Sequence, residues 1–204
     1  MCMIEPFMGR QPEHLTATPS QTVGPFFHFG LAQHPELGTL AGPGVAGERI
    51  RVHVSVSDGD GQPVPDALIE LWQADADGRY SSANQGQPAG NQDRTGFSGF
   101  GRLPTSPDGS CVFETIRPGL VRDDSGRFQA SHINVCLFAR GLLRQLYTRI
   151  YFTGDDRLKD DVVLAAIPEE RRQTLLAVPV AGAAGEWRFD IRLQGAGETV
   201  FFDL

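Results

Sequence analysis

The sequence is poor in the features that mark most familiar chemistries. Cysteine is scarce, with only Cys2, Cys111 and Cys136. An odd count cannot pair off fully and no CxxC spacing occurs, so neither a disulfide framework nor a cysteine zinc site is indicated. No apolar run reaches the roughly 18 residues that a membrane-spanning helix needs. The opening MCMIEPFMGR has no basic segment followed by an apolar one, so no secretory signal is read there and the expected compartment is the cytoplasm. Basic residues are outnumbered, 18 Lys and Arg against 25 Asp and Glu, for a net charge of −7. That balance excludes nucleic acid as a partner, because phosphate binding needs a basic surface. A locally basic pocket for a small anion remains open. Catalytic signatures are missing too. There is no HExxH, and no GxGxxG between a strand and a helix. Gly96-Phe97-Ser98-Gly99-Phe100 fails the nucleophile-elbow pattern because Phe100 stands where the last glycine belongs.

What the chain does have is strand-and-turn punctuation. Glycine (24) and proline (14) are spread along its whole length, separating short apolar runs that read as β-strands. Residues 50–57 alternate, with Ile50, Val52, Val54 and Val56 on one face and Arg51, His53, Ser55 and Ser57 on the other. Asp58-Gly59-Asp60-Gly61 then supplies a turn. Residues 67–74 form a more continuously apolar strand, and further strands are expected over 111–116, 132–138, 147–152 and 187–193. Cys111 and Cys136 fall inside such runs and are expected as buried thiols in a reducing compartment. A single helix is expected over 167–176, with Pro168 in its first turn and Glu169 and Glu170 at the positive end of its dipole. Two long polar stretches, 35–48 and 81–101, read as loops. The expected architecture is all-β, a β-sandwich with long loops and one short helix. It forms one domain over 1–204, with residues 1–15 as a mobile N-terminal extension.

Few residues offer chemistry on their own. His132 and Asn134 flank Ile133 on a strand, so they share a face about 7 Å apart. A second histidine there would make a metal pair; an amide binds transition metals poorly, and a lone strand histidine reads as a hydrogen-bonded structural residue. His14, His28, His34 and His53 lie far apart. Asp66, Asp75 and Asp77 at strand ends read as turn formers. From the residues alone, no metal site is expected.

Several segments together carry a resemblance. LIELWQADADGRY (68–80), TIRPG (115–119), SHINVCLFARG (131–141), RIYFTGD (149–155) and RFDIRLQGAGETVFFD (188–203) resemble the intradiol ring-cleaving dioxygenases. TPSQTVGPFF (18–27) is similar to the opening segment of the protocatechuate 3,4-dioxygenase branch of that family. Catalytic members hold Fe(III) with two tyrosinates and two histidines. Their four ligand positions fall here on Tyr80, Val121, His132 and Asn134, and a family arginine three residues before the first histidine is Gln129. Two ligands and one cation are therefore replaced. The pattern resembles the α-type subunit of that branch, which has lost its metal and works beside an iron-bearing β subunit. The resemblance implies that the pair cleaves 3,4-dihydroxybenzoate with O2 to 3-carboxy-cis,cis-muconate, within a higher αβ oligomer. It also implies that Thr22, Gly24, Pro25 and Arg140 line the partner's pocket. Read without it, Gly24-Pro25 is a turn, Thr22 a local cap and Arg140 an exposed strand-end charge. A competing resemblance exists over 54–72, which is similar to the non-catalytic sandwich modules of the transthyretin type.

Overall fold

The structure is a computed structural model and describes residues 17–81, 96–123 and 125–203. In chain order its strands are β1 Arg49–Ser57, β2 Leu68–Gln73, β3 Phe100–Pro104, β4 Ser110–Ile116, β5 Val121–Arg122, β6 Phe128–Gln129, β7 His132–Phe138, β8 Leu146–Phe152, β9 Leu176–Pro179 and β10 Glu186–Arg192. Eight of them form one sheet in the order β3-β2-β7-β8-β9-β10-β1-β4, and β5 and β6 make a separate two-stranded ribbon. β9 joins the two halves of the large sheet, pairing with β8 at Tyr151↔Leu176 and with β10 at Trp187↔Pro179. The halves fold over a common core.

The alternation seen in the sequence sets that core. Ile50, Val52, Val54 and Val56 of β1 are at most 2 % exposed. They meet Ile69 and Leu71 of β2, Ile133, Val135 and Leu137 of β7, and Phe189 and Ile191 of β10 in a single cluster. Each such side chain contributes about 1.5–3 kcal/mol by leaving water. Because a strand's side chains alternate, the intervening residues of β7 (His132, Asn134, Cys136) necessarily face away from this core. The chemistry-bearing face of the chain follows from its hydrophobic pattern.

Several expectations need correction. The single helix over 167–176 is instead a set of short turns: α2 Val162–Ala165, α3 Glu169–Arg172 and a 3-10 turn Gln173–Leu175. Pro168 is extended (φ −50, ψ 134) and caps α3 rather than opening a longer helix. An unexpected helix, α1 Pro25–Leu31, is too short to show periodicity in the sequence and is steadied by Phe27 packing on Phe138, ring centroids 5.5 Å apart. β3, β5, β6 and β9 were also not expected. The stretch 35–48 is less loop-like than its composition suggests, with a 3-10 turn at Pro35–Gly38 and buried Leu40 and Ala41. Cys111 is buried, but Cys136 faces outward and is half-buried. The N-terminal extension and most of the 81–101 stretch lie outside the described residues.

Candidate functional site

Two loops bring Tyr80 and Val121 to the start of β7. Asp75 turns the first, its carboxylate accepting the amides of Asp77 and Arg79 at 2.9 Å each. Its backbone carbonyl accepts Gly78 N at 3.1 Å and Gly119 N at 2.8 Å, tying the first loop to the second. The approach is so close that a Cβ on Gly119 would stand 2.3 Å from the Ala76 carbonyl oxygen, so only glycine fits. Tyr80 then pairs back on Ala74, and Val121 opens β5 opposite Gln129 of β6.

These turns close a polar network over the outward face of β7. Asn134 Nδ2 donates to the Tyr80 hydroxyl at 2.9 Å, and that hydroxyl lies 3.4 Å from His132 Nε2. His132 Nδ1 is 2.7 Å from the Ala130 carbonyl, which can only accept, so Nδ1 carries the proton and Nε2 offers a lone pair to Tyr80. Burial, with Arg149 nearby as the second cause, pushes the His132 pKa down to about 4. The ring is therefore neutral at neutral pH. Burial also raises the Tyr80 pKa, keeping it a phenol, against smaller opposing effects of Asn134 and Arg149.

Arg149 on β8, directly opposite Asn134 of β7, completes the network. Its Nη1 donates to Gln129 Oε1 at 2.7 Å and to the Tyr151 hydroxyl at 3.3 Å. Tyr151 in turn donates to Asp161 Oδ1 at 3.2 Å, and Asp161 Oδ2 accepts the Ala130 amide at 2.8 Å. The structure thus brings the four ligand-position residues Tyr80, Val121, His132 and Asn134 into one neighbourhood. Their donor set does not fit a ferric ion held by two tyrosinates and two histidines. It comprises one phenol, one imidazole, an amide already committed to that phenol, and an isopropyl group with no lone pair. Arg149 and Asp161 escaped the sequence reading; period two along TRIYF puts Arg149 and Tyr151 on one face, but nothing local says what they reach.

The other candidate residues gather elsewhere. Thr22 Oγ1 accepts the amide of Gly141 at 2.7 Å, the residue after Arg140. The Gly24 carbonyl accepts Phe27 N at 3.1 Å and Pro25 opens α1, so the Phe27–Phe138 contact holds this segment beside the end of β7. Arg140 is exposed, and its Nη2 meets Asp66 Oδ2 at 3.3 Å. Asp66 itself sits at φ 61, a turn conformation that Asp tolerates. This cluster and the Tyr80–His132 network occupy opposite ends of β7, roughly 20 Å apart at about 3.3 Å per residue.

Residues 23–195 match the family described as Dioxygenase. The chain is 42 % identical over 206 residues to the protocatechuate 3,4-dioxygenase alpha chain of Pseudomonas putida, covering 94 % of this chain and 98 % of that one. It is 34 % identical over 160 residues to the protocatechuate 3,4-dioxygenase beta chain of Burkholderia cepacia, covering 75 % and 67 %. Among solved structures, the dioxygenase domain of a dioxygenase carbohydrate-binding protein fusion from Streptomyces sp. SirexAA-E is similar with a TM-score of 0.58 and 29 % identity. That likeness covers 78 % of this chain and 88 % of that one. A match from 23 to 195 runs well beyond the stretch 54–72 that resembles a transthyretin-type module. The chain belongs to the intradiol dioxygenase family.

Proposed function

We propose that this chain is the iron-free α subunit of a protocatechuate 3,4-dioxygenase and that it cleaves 3,4-dihydroxybenzoate only beside an iron-bearing β subunit. The observation that carries the reading is the separation of two features that a self-sufficient enzyme would keep together. The ligand positions have lost two of four donors at one end of β7, while the Thr22, Gly24, Pro25 and Arg140 cluster gathers at the other. A cation about 20 Å from its own chain's centre serves a different centre.

Fe(III), held by the β subunit, supplies the Lewis-acid and electron-accepting chemistry of ring cleavage. This chain contributes shape and charge. Arg140 offers a permanently charged, forked donor for the substrate carboxylate. The Thr22–Gly141 hydrogen bond fixes the wall beside it, and Gly24 leads from there into α1. Apolar side chains stand exposed around the cluster, Phe26 at 81 %, Phe29 at 63 % and Leu143 at 61 %, which supports a partner covering this end. Among the described residues no helix is long and apolar enough to cross a membrane. The unpaired thiols Cys111 and Cys136 favour a reducing cytoplasm.

Co-expression with a β chain tests the reading. The two should elute as one complex that consumes O2 with protocatechuate, and this chain alone should consume none. Turnover by the isolated chain, or a monomer that ignores β, would overturn it.

A further inference from the structure

We propose that Arg149 takes the place of a metal cation at the centre formed by Tyr80, Val121, His132 and Asn134, and that it closes this centre to iron independently of the two missing ligands. The inference rests on reading this chain as the iron-free subunit.

The strand registers carry the argument. Arg149 is the cross-strand partner of Asn134, Tyr151 is that of His132, and Gln129 is that of Val121. Arg149 springs from the first of these positions, and its guanidinium bonds the side chains at the other two, Gln129 at 2.7 Å and Tyr151 at 3.3 Å. The fourth residue, Tyr80, is bonded to Asn134. One half-buried cationic side chain therefore connects the surroundings of all four positions. Among the described residues its hydrogen-bond partners are neutral, an amide and a phenol. Among the described residues no carboxylate bonds it directly, and its charge repels any second cation brought into the same space. Gln129, which stands where the resemblance places an arginine, accepts a hydrogen bond from Arg149 on the strand beside His132.

Restoring ligands alone should then fail. In the αβ complex, Val121→Tyr with Asn134→His should leave iron at about one per αβ pair. Adding Arg149→Gln to those two changes should raise it towards two, with a second tyrosinate-to-iron visible absorption. Oxygen uptake at the β centre reports whether each complex is intact. The proposal is overturned if the double variant takes up iron as well as the triple, or if an intact triple variant takes up none. A measurement that needs no rebuilt site stands beside this one. Arg149→Ala should lower the thermal midpoint of the complex, and millimolar methylguanidinium should restore part of that loss in the variant while leaving the unsubstituted complex unmoved. Equal responses of the two would count against a cation slot. A second iron per pair before any substitution would instead sink the reading of this chain as iron-free, so the two failures are distinguishable.

Discussion

Arg140 is held loosely, and that makes its role measurable. Its contact with Asp66 joins side chains that are 63 % and 52 % exposed, and such surface pairs contribute about 0–1 kcal/mol. Removing it should therefore leave the fold intact. A charge-assisted contact with a substrate carboxylate contributes about 1.5–3 kcal/mol, which corresponds to roughly 10- to 100-fold in kcat/KM. In an intact αβ complex, Arg140→Ala should weaken turnover of protocatechuate by about that factor with iron content unchanged, while catechol, which lacks the carboxylate, is barely affected. Steady-state kinetics with both substrates, alongside gel filtration, checks this; an equal loss for both would remove Arg140 from the pocket. At this scale much was legible in advance. Val121, Asn134 and Gln129 stand at fixed spacings inside recognisable motifs, so the proposal that they replace ligands and a cation rests on the sequence itself. Arg149 could not, because its meaning lies in a contact with Gln129, 20 residues away, created only when β8 pairs with β7. The outward tilt of Cys136 likewise follows from strand phase rather than from the apolar run around it.

Individual elements show the same division. β1 and β10 were readable because their alternation is strict, whereas β9 is four residues long and is defined by neighbours on both sides. The helical stretch misled because Pro168, Glu169 and Glu170 are sound start signals for a helix that tertiary packing then ends early. Asp161 is what organises that region. It is 0 % exposed and accepts four hydrogen bonds: from Ala130 N at 2.8 Å, Val163 N and Leu164 N at 2.9 Å, and the Tyr151 hydroxyl at 3.2 Å. It thereby fastens α2 to the junction between β6 and β7, where His132 begins. Asp161→Ala would leave buried donors unsatisfied and should cost about 3–5 kcal/mol. Asp161→Asn keeps the shape and one acceptor oxygen and should lose distinctly less. Thermal unfolding of the complex carrying each variant measures the difference; a loss below about 1 kcal/mol for the alanine variant would show that the junction does not depend on this carboxylate.

At the scale of the whole molecule, the fold and the chemistry separate. The sandwich core is complete within this chain, with Val52, Ile69, Ile133 and Phe189 buried together, so the fold does not depend on a metal. The site is not complete in the same sense. One end of β7 gathers Tyr80, Val121, His132 and Asn134, which do not make a set of two tyrosinates and two histidines, and the other carries exposed Arg140, paired with Asp66, near exposed Phe26, Phe29 and Leu143. The net charge of −7 sharpens the point, since an anionic substrate approaching an acidic protein needs a local cation. The measurement that bears most directly on the assignment is metal analysis of this chain purified without its partner, with its visible spectrum recorded after incubation with ferric iron. The expected result is far less than one iron per chain and no tyrosinate-to-iron band, because Val121 and Asn134 offer no anionic or imidazole donor. About one iron per chain, with that band present, would contradict the assignment of this chain as the iron-free subunit.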